Sequence, residues 1–153
     1  MSNPILPSEF NVAGITVEST VDEDLRIDRD ALSEEFEKHS IRFNFYAVSF
    51  ELCQDHETRL KASMERLYGL CDVQARAEME VAKVKVTEKK VENMVITMSD
   101  YVKKQEEYFD ACLQTRLMKA ARDAMVHKKD CLISLGANIR AELQNDPYMK
   151  KQS

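Results

Sequence analysis

From residue 8 to residue 146 the chain contains no proline. Proline inside a helix removes a backbone hydrogen bond and clashes with the preceding turn, so this absence leaves long helices open. Glycine is nearly as scarce, at Gly14, Gly69 and Gly136. With Phe36 as position a of a heptad, a falls on Phe36, Phe43, Phe50, Glu57, Met64 and Cys71, and d on His39, Tyr46, Cys53, Leu60 and Leu67. All but Glu57 and His39 are apolar, counting Tyr and Cys as apolar, which supports a 3.5-residue seam. Its aromatic first half suits a wide bundle contact better than a slim two-stranded zipper. Gly69 ends this helix or bends it, since glycine costs about 1 kcal/mol in a helix interior. Val81 and Val84 keep the seam apolar until it fades near "KVKVTEKK".

Two more helices follow by the same reasoning. Thr87 is a suitable cap for a short helix carrying Val91 and Val95, and Ser99 for a final long one. The last helix shows Val102, Phe109, Leu113, Leu117, Ala121, Ala124, Leu132, Leu135, Ile139 and Leu143 as one apolar stripe. Ala120, Ala121, Ala124 and Gly136 leave room for another helix to approach closely. The expectation is an all-α fold of long antiparallel helices in a helical bundle or coiled-coil arrangement, with an extended N-terminal arm. Residues 1–28 form an acidic arm, 29–145 the helical domain and 146–153 a basic flexible tail. Within the arm, "NVAGITVEST" alternates like a strand but has no evident pairing partner in a helical chain.

Charge decides which partners remain possible. The net charge is −5. Residues 1–30 hold seven acids against Arg26 and Arg29, which accounts for all of it; the other 123 residues carry 20 acids and 20 bases. An acidic total therefore does not exclude a body that binds polyanions. No apolar run approaches the roughly 18 residues of a membrane span, and "MSNPILPSEF" lacks the features of a signal peptide. A cytoplasmic protein with no membrane partner is expected, in keeping with Cys53, Cys71, Cys112 and Cys131 standing far apart as free core thiols.

No catalytic motif is present: no G-x-S-x-G, no Walker A, no H-E-x-x-H. A non-enzymatic protein without cofactor follows. Cys53 and His56 (i,i+3) and His127 and Cys131 (i,i+4) each share a helix face, the spacing from which two helices offer zinc a Cys2His2 tetrahedron. The plainer reading is core cysteines beside surface histidines, and no metal site is assigned.

Three segments concentrate cations. "TRLKASMERLYG" holds Arg59, Lys61 and Arg66. In the heptad frame Arg59 and Arg66 fall at c, Lys61 and Tyr68 at e, about 160° away around the helix. Lys61 and Tyr68 thus border the core, and such a pair can hold a phosphate and stack a base; equally, they can cover the seam. "KVKVTEKK" sets Lys83, Lys85, Lys89 and Lys90 against Glu88, and "RLMKAARDAMVHKK" sets Arg116, Lys119, Arg122, Lys128 and Lys129 against Asp123. Each suits a polyanion or a solvated face.

The order of these features resembles the UvsY-type recombination mediators of phages. "DLRIDRDALSEEFEKHSIRFNFYAVSF" is similar to the family's opening, and "LKASMERLYG" to its basic segment; the likeness runs over about residues 24–143, and from "KVTEKKVENMV" onward it is closer to the family's uncharacterised phage relatives. The resemblance implies a homo-oligomer, ring-like, that binds single-stranded DNA, the strand-exchange recombinase and the single-strand-binding protein, in a host cytoplasm. It implies DNA contact by a Lys-x-Arg pair. Lys61 matches the lysine, while Ser63 stands at the arginine position, so Arg59 or Arg66 would supply the second cation. The candidate DNA-binding residues are Arg59, Lys61, Arg66, Tyr68, Lys83, Lys85, Lys89 and Lys90. The alternative is a structural or adaptor bundle that binds only proteins.

Overall fold

A computed structural model describes residues 9–12, 15–18 and 21–145; the basic tail lies outside them. The order is β1 (Glu9–Val12), β2 (Ile15–Glu18), α1 (Val21–Asp24), α2 (Leu32–Val81), α3 (Glu88–Val95) and α4 (Ser99–Asn145). The fold is an all-α helical bundle, with long helices α2 and α4 antiparallel, preceded by one short hairpin. The strand partner that the sequence did not reveal lies within the arm itself. β1 pairs with β2 antiparallel, Val12 opposite Ile15 and Glu9 opposite Glu18.

α2 runs through Gly69, so this glycine neither ends nor caps it. α2 stops at a Schellman-type turn: the Val84 amide donates to the Met79 carbonyl at 2.9 Å, and Lys83 adopts a left-handed φ of 54°. Thr87 is the N-cap of α3 in extended conformation, but its side chain makes no capping bond. Ser99, expected as a cap, is instead the first residue of α4, its hydroxyl 3.4 Å from a carboxylate oxygen of Asp100.

The chain forms two compact units. One comprises residues 1–50 and 117–153, the other 51–116.

In the first unit the buried line of α2 is Glu35, His39, Tyr46, Ser49 and Phe50, with Arg42 half-buried. Steps of four and three place Glu35, Arg42 and Ser49, rather than Phe36 and Phe43, at the helix interface. Phe36 is exposed and Phe43 half-buried. On α4 the buried residues are Met118, Ala121, Met125, Lys128, Leu132 and Gly136. Lys128, assigned by sequence to a basic surface, occupies a core position with its side chain 1% exposed. Its ammonium donates to the carbonyls of Asp24 (2.8 Å) and Arg26 (2.7 Å) and to the Glu35 carboxylate. All three donors of the ammonium are thereby used. Around this knot, Arg42 pairs with Asp24 at 2.9 Å and the Tyr46 hydroxyl donates to Asp24 at 2.8 Å. Residues 21–26, the end of the acidic arm, are thus bonded into this unit, with Val21 fully buried. Arg122 also differs from a free surface cation: its guanidinium lies 4.4 Å above the Phe50 ring and donates to Asp123 at 2.8 Å. Gly136 faces Leu32 and Phe36 at ordinary contact distance for an added Cβ, which bears out the close approach expected there.

In the second unit Cys71, Ala75 and Met79 of α2, Val91 and Val95 of α3 and Tyr101 of α4 form the core. Met64, Leu67, Tyr68, Val86, Met94 and Met98 pack against it. Here the α2 seam at Met64, Leu67 and Cys71 and the valines of α3 appear where the periodicity placed them, but past Gly69 the core passes to Ala75 and Met79, and Val81 and Val84, expected to continue the seam, are exposed. The α4 stripe is only partly internal. Phe109 and Leu113 are exposed in this unit, and so is Leu143 in the first. The buried line instead passes through Tyr101 and Ala111. None of the four cysteines forms a disulfide; Cys53 and Cys71 are buried, Cys112 is half-buried and Cys131, against expectation, is exposed.

A Cβ on Gly69 would meet nothing within 4 Å. Gly69→Ala therefore stabilises by about 0.5–1 kcal/mol through helix propensity and reduced unfolded-chain entropy, measured by chemical denaturation. Lys128→Met removes the close partner of the buried Glu35, leaving it the longer 3.8 Å pair with Arg42, and a loss of about 3–5 kcal/mol is expected. Glu35→Leu combined with Lys128→Met recovers most of that loss, while Lys119→Met at an exposed position changes stability by less than about 0.5 kcal/mol.

Candidate nucleic-acid interface

All eight candidate DNA-contacting residues lie in the second unit. Arg59, Lys61 and Arg66 are exposed on α2, and Tyr68 is half-buried. They do not form one patch. Arg59 is committed to Asp55 one turn earlier, at 2.6 Å. Lys61 sits one turn from both Glu57 and Glu65 on the same row of the helix. Arg66 has neither acid at that spacing, and neither it nor Lys61 makes an ion pair among the described residues.

Tyr68 is held by packing on the unit's core and by an edge-to-face contact with Tyr101, ring centroids 5.7 Å apart. A cleft of about 270 Å³ lined by Met64, Glu65, Tyr68 and Tyr101 opens beside it. Burial, and then the charge of Glu92, push the phenol's pKa up, so the ring carries no charge near neutrality. A neutral tyrosine at a cleft retains the stacking role the sequence suggested for it, although Glu65 in the lining weighs against a phosphate at that spot.

The lysine run is the better-built cation group. Lys83, Lys85, Lys89 and Lys90 are all exposed and make no ion pair among the described residues. About 22 Å of helix separates Arg66 from the end of α2 at Val81, so these lysines form a second, distinct group. Two local features set its geometry. Lys83 takes the left-handed position that ends α2, where glycine is usual, so its backbone direction is dictated by the turn. Glu88, the one acid between Lys83 and Lys90, is drawn away by Arg76. That guanidinium bonds Glu88 at 2.7 Å and Asp72 at 2.7 Å, bridging α3 to α2. The bond from Arg76 holds the Glu88 carboxyl below its ordinary range, and the two carboxylates raise the Arg76 pKa. The lysines thus stand exposed while the one acid among them serves a structural bridge. Sequence alone paired Glu88 with the lysines, because Arg76 lies twelve residues away across a turn.

The zinc constellation does not assemble: among the described residues no three His, Cys, Asp or Glu side chains converge on a metal position. Among the described residues no helix is long and apolar enough to cross a membrane. Comparison of the chain with protein families, with curated proteins and with solved structures finds no match in any of the three.

The Arg76 bridge predicts a measurable coupling. Arg76→Met and Glu88→Gln each lower the melting temperature, and the double variant loses less than the sum of the two. Additive losses would show that the two groups act independently.

Proposed function

We propose that the protein is a non-enzymatic recombination mediator that binds single-stranded DNA and helps load a strand-exchange recombinase. The observation that carries this reading is the lysine group at the α2–α3 turn, whose local acid is engaged by Arg76. Lys83, Lys85, Lys89 and Lys90 would track phosphates, with Lys61 and Arg66 as a second contact and Tyr68 as a base platform. Arg59, held by Asp55, is the weakest member of the set. The resemblance to UvsY-type mediators supplies the expected partners, a recombinase and a single-strand-binding protein, in a host-cell cytoplasm. Self-assembly would strengthen a site of few cations, because each added copy repeats them along one strand.

The exposed apolar face of α2 supports assembly. Ile41 (75% exposed), Phe45 and Val48 follow each other at steps of four and three on one side of the helix. The same face favours a second reading, an adaptor whose partners are all proteins. The second unit carries 13 acids against 11 bases, so nucleic-acid affinity would rest on the local lysine group rather than on net charge.

Fluorescence polarisation with a labelled oligonucleotide at low salt separates the readings. Binding should weaken with added salt, with a log–log slope of about 0.7 per phosphate contact. Combining Lys83→Gly with Lys85→Ala, Lys89→Ala and Lys90→Ala lowers the slope by about 0.7 for each contacting lysine removed. The glycine relieves the left-handed backbone position, so loss of fold does not mimic loss of binding. Absence of binding by the assembled protein at low salt overturns the DNA reading in favour of the adaptor.

A further inference from the structure

A second apolar stripe runs along α2 beside the one that faces the core. Ile41, Phe45, Val48 and Leu52 are all exposed and follow one another at steps of four, three and four. This spacing makes a heptad seam of its own, with Phe45 and Leu52 at a and Ile41 and Val48 at d. Each of its residues stands one position, about 100° around the helix, from the buried line through Tyr46, Ser49 and Cys53, so both faces can be used at once. Large apolar side chains that adjoin in water mark an interaction surface.

The seam passes into charge at both ends, and in a definite order. Before Ile41 stand Glu34 and Lys38, paired at 3.0 Å, and after Leu52 stand Asp55 and Arg59, paired at 2.6 Å. All four are exposed and continue the same steps of three and four. From the N-terminus the seam thus runs acid, base, four apolar residues, acid, base. Laid antiparallel on a copy of itself, it sets Ile41 against Leu52, Phe45 against Val48, Lys38 against Asp55 and Glu34 against Arg59. Every apolar layer meets an apolar layer, and every charge meets its opposite. A parallel copy would set each charge against its own kind. Sliding the antiparallel copy by one heptad would set Phe45 against Asp55 in one direction and Leu52 against Glu34 in the other. The charges therefore select one orientation and one register.

We propose that α2 pairs through this seam with α2 of a second copy of the chain, forming an antiparallel two-fold dimer. A two-fold contact closes on itself, so this surface stops at two copies and any larger ring needs a further contact elsewhere. In the dimer Lys38 stands between Glu34 of its own chain and Asp55 of the second copy. Arg59 likewise stands between its own Asp55 and Glu34 of the second copy, which withdraws it further from DNA. The contact is one helix wide and about 38 Å long, at the small end of specific interfaces, so dissociation on the order of micromolar is expected. The pairing gives the assembly step of the mediator reading a surface and a symmetry, yet it does not rest on DNA binding, and an adaptor would keep it.

Sedimentation of the full-length protein at rising concentration should show the mass climbing from 17.7 kDa to twice that. Val48→Glu, at an exposed position beside the two-fold axis, should hold the protein at monomer mass with unchanged helicity by circular dichroism. A zero-length carbodiimide should join Lys38 to Asp55. Within one chain these lie about 26 Å apart along α2, so that link forms only between copies, while the Lys38–Glu34 link within the chain serves as control. Glu34→Lys combined with Lys38→Glu keeps a pair within the chain but brings like charges together between copies, and the dissociation constant should rise at least about tenfold. Adding Asp55→Arg and Arg59→Asp should restore it, whereas a parallel dimer would be indifferent to both exchanges. Four results would each overturn the assignment: a monomer throughout, an unchanged mass for Val48→Glu, no Lys38–Asp55 link, or no effect of the first exchange. DNA binding is read separately by polarisation, so the dimer and the DNA reading can fail independently.

Discussion

The first unit depends on the buried ammonium of Lys128. It stands at a heptad position that would ordinarily hold an aliphatic side chain, and it bonds two carbonyls of residues 21–26 together with Glu35 of α2. A buried charge is tolerated only where its partners replace the water it loses. Here that replacement joins three segments distant in sequence. Arg42, Asp24 and Tyr46 extend the same network, so the interface between α2 and α4 is polar along part of its length. A polar interface of this kind specifies register: sliding one helix by a turn would leave several buried charges without partners.

The same cations shape what lies beside the knot. His39 has its protonation opposed both by burial and by the neighbouring positive charges. The second unit is organised differently. Its core is sulfur, alanine, valine and one tyrosine, and its charges work at the surface, where Arg76 ties α3 to α2 through Glu88. That bridge removes the one acid from among four lysines. A structural bond and a candidate binding surface are two consequences of one arginine.

Most of the helical architecture was legible in the residues. Proline exclusion, the valines of the short helix and the seam at Tyr46, Cys53, Met64, Leu67 and Cys71 all reported the periodicity that the fold uses. Periodicity failed where charge entered the core. Glu35, Arg42 and Lys128 read as surface residues because hydropathy ranks them so, yet each is stabilised inside by the others. The converse error affected Phe36, Phe109 and Leu113, which are apolar and exposed. The candidate site was legible as composition, four lysines near a helix end. Its geometry was not, because the fate of Glu88 depends on an arginine twelve residues earlier on a different helix, and the engagement of Arg59 by Asp55 was a local pairing that the charge count passed over.

The sequence by itself determined that this chain forms long helices, where the short helix between them falls and that its net negative charge belongs to the N-terminal segment. These are local properties, set by backbone sterics, side-chain period and counting. Only the tertiary structure decided which charges are buried, which cations stay unpaired and where a cavity remains. Those outcomes depend on the distance between groups far apart in the chain, and electrostatic energies change with that distance and with the water removed between them.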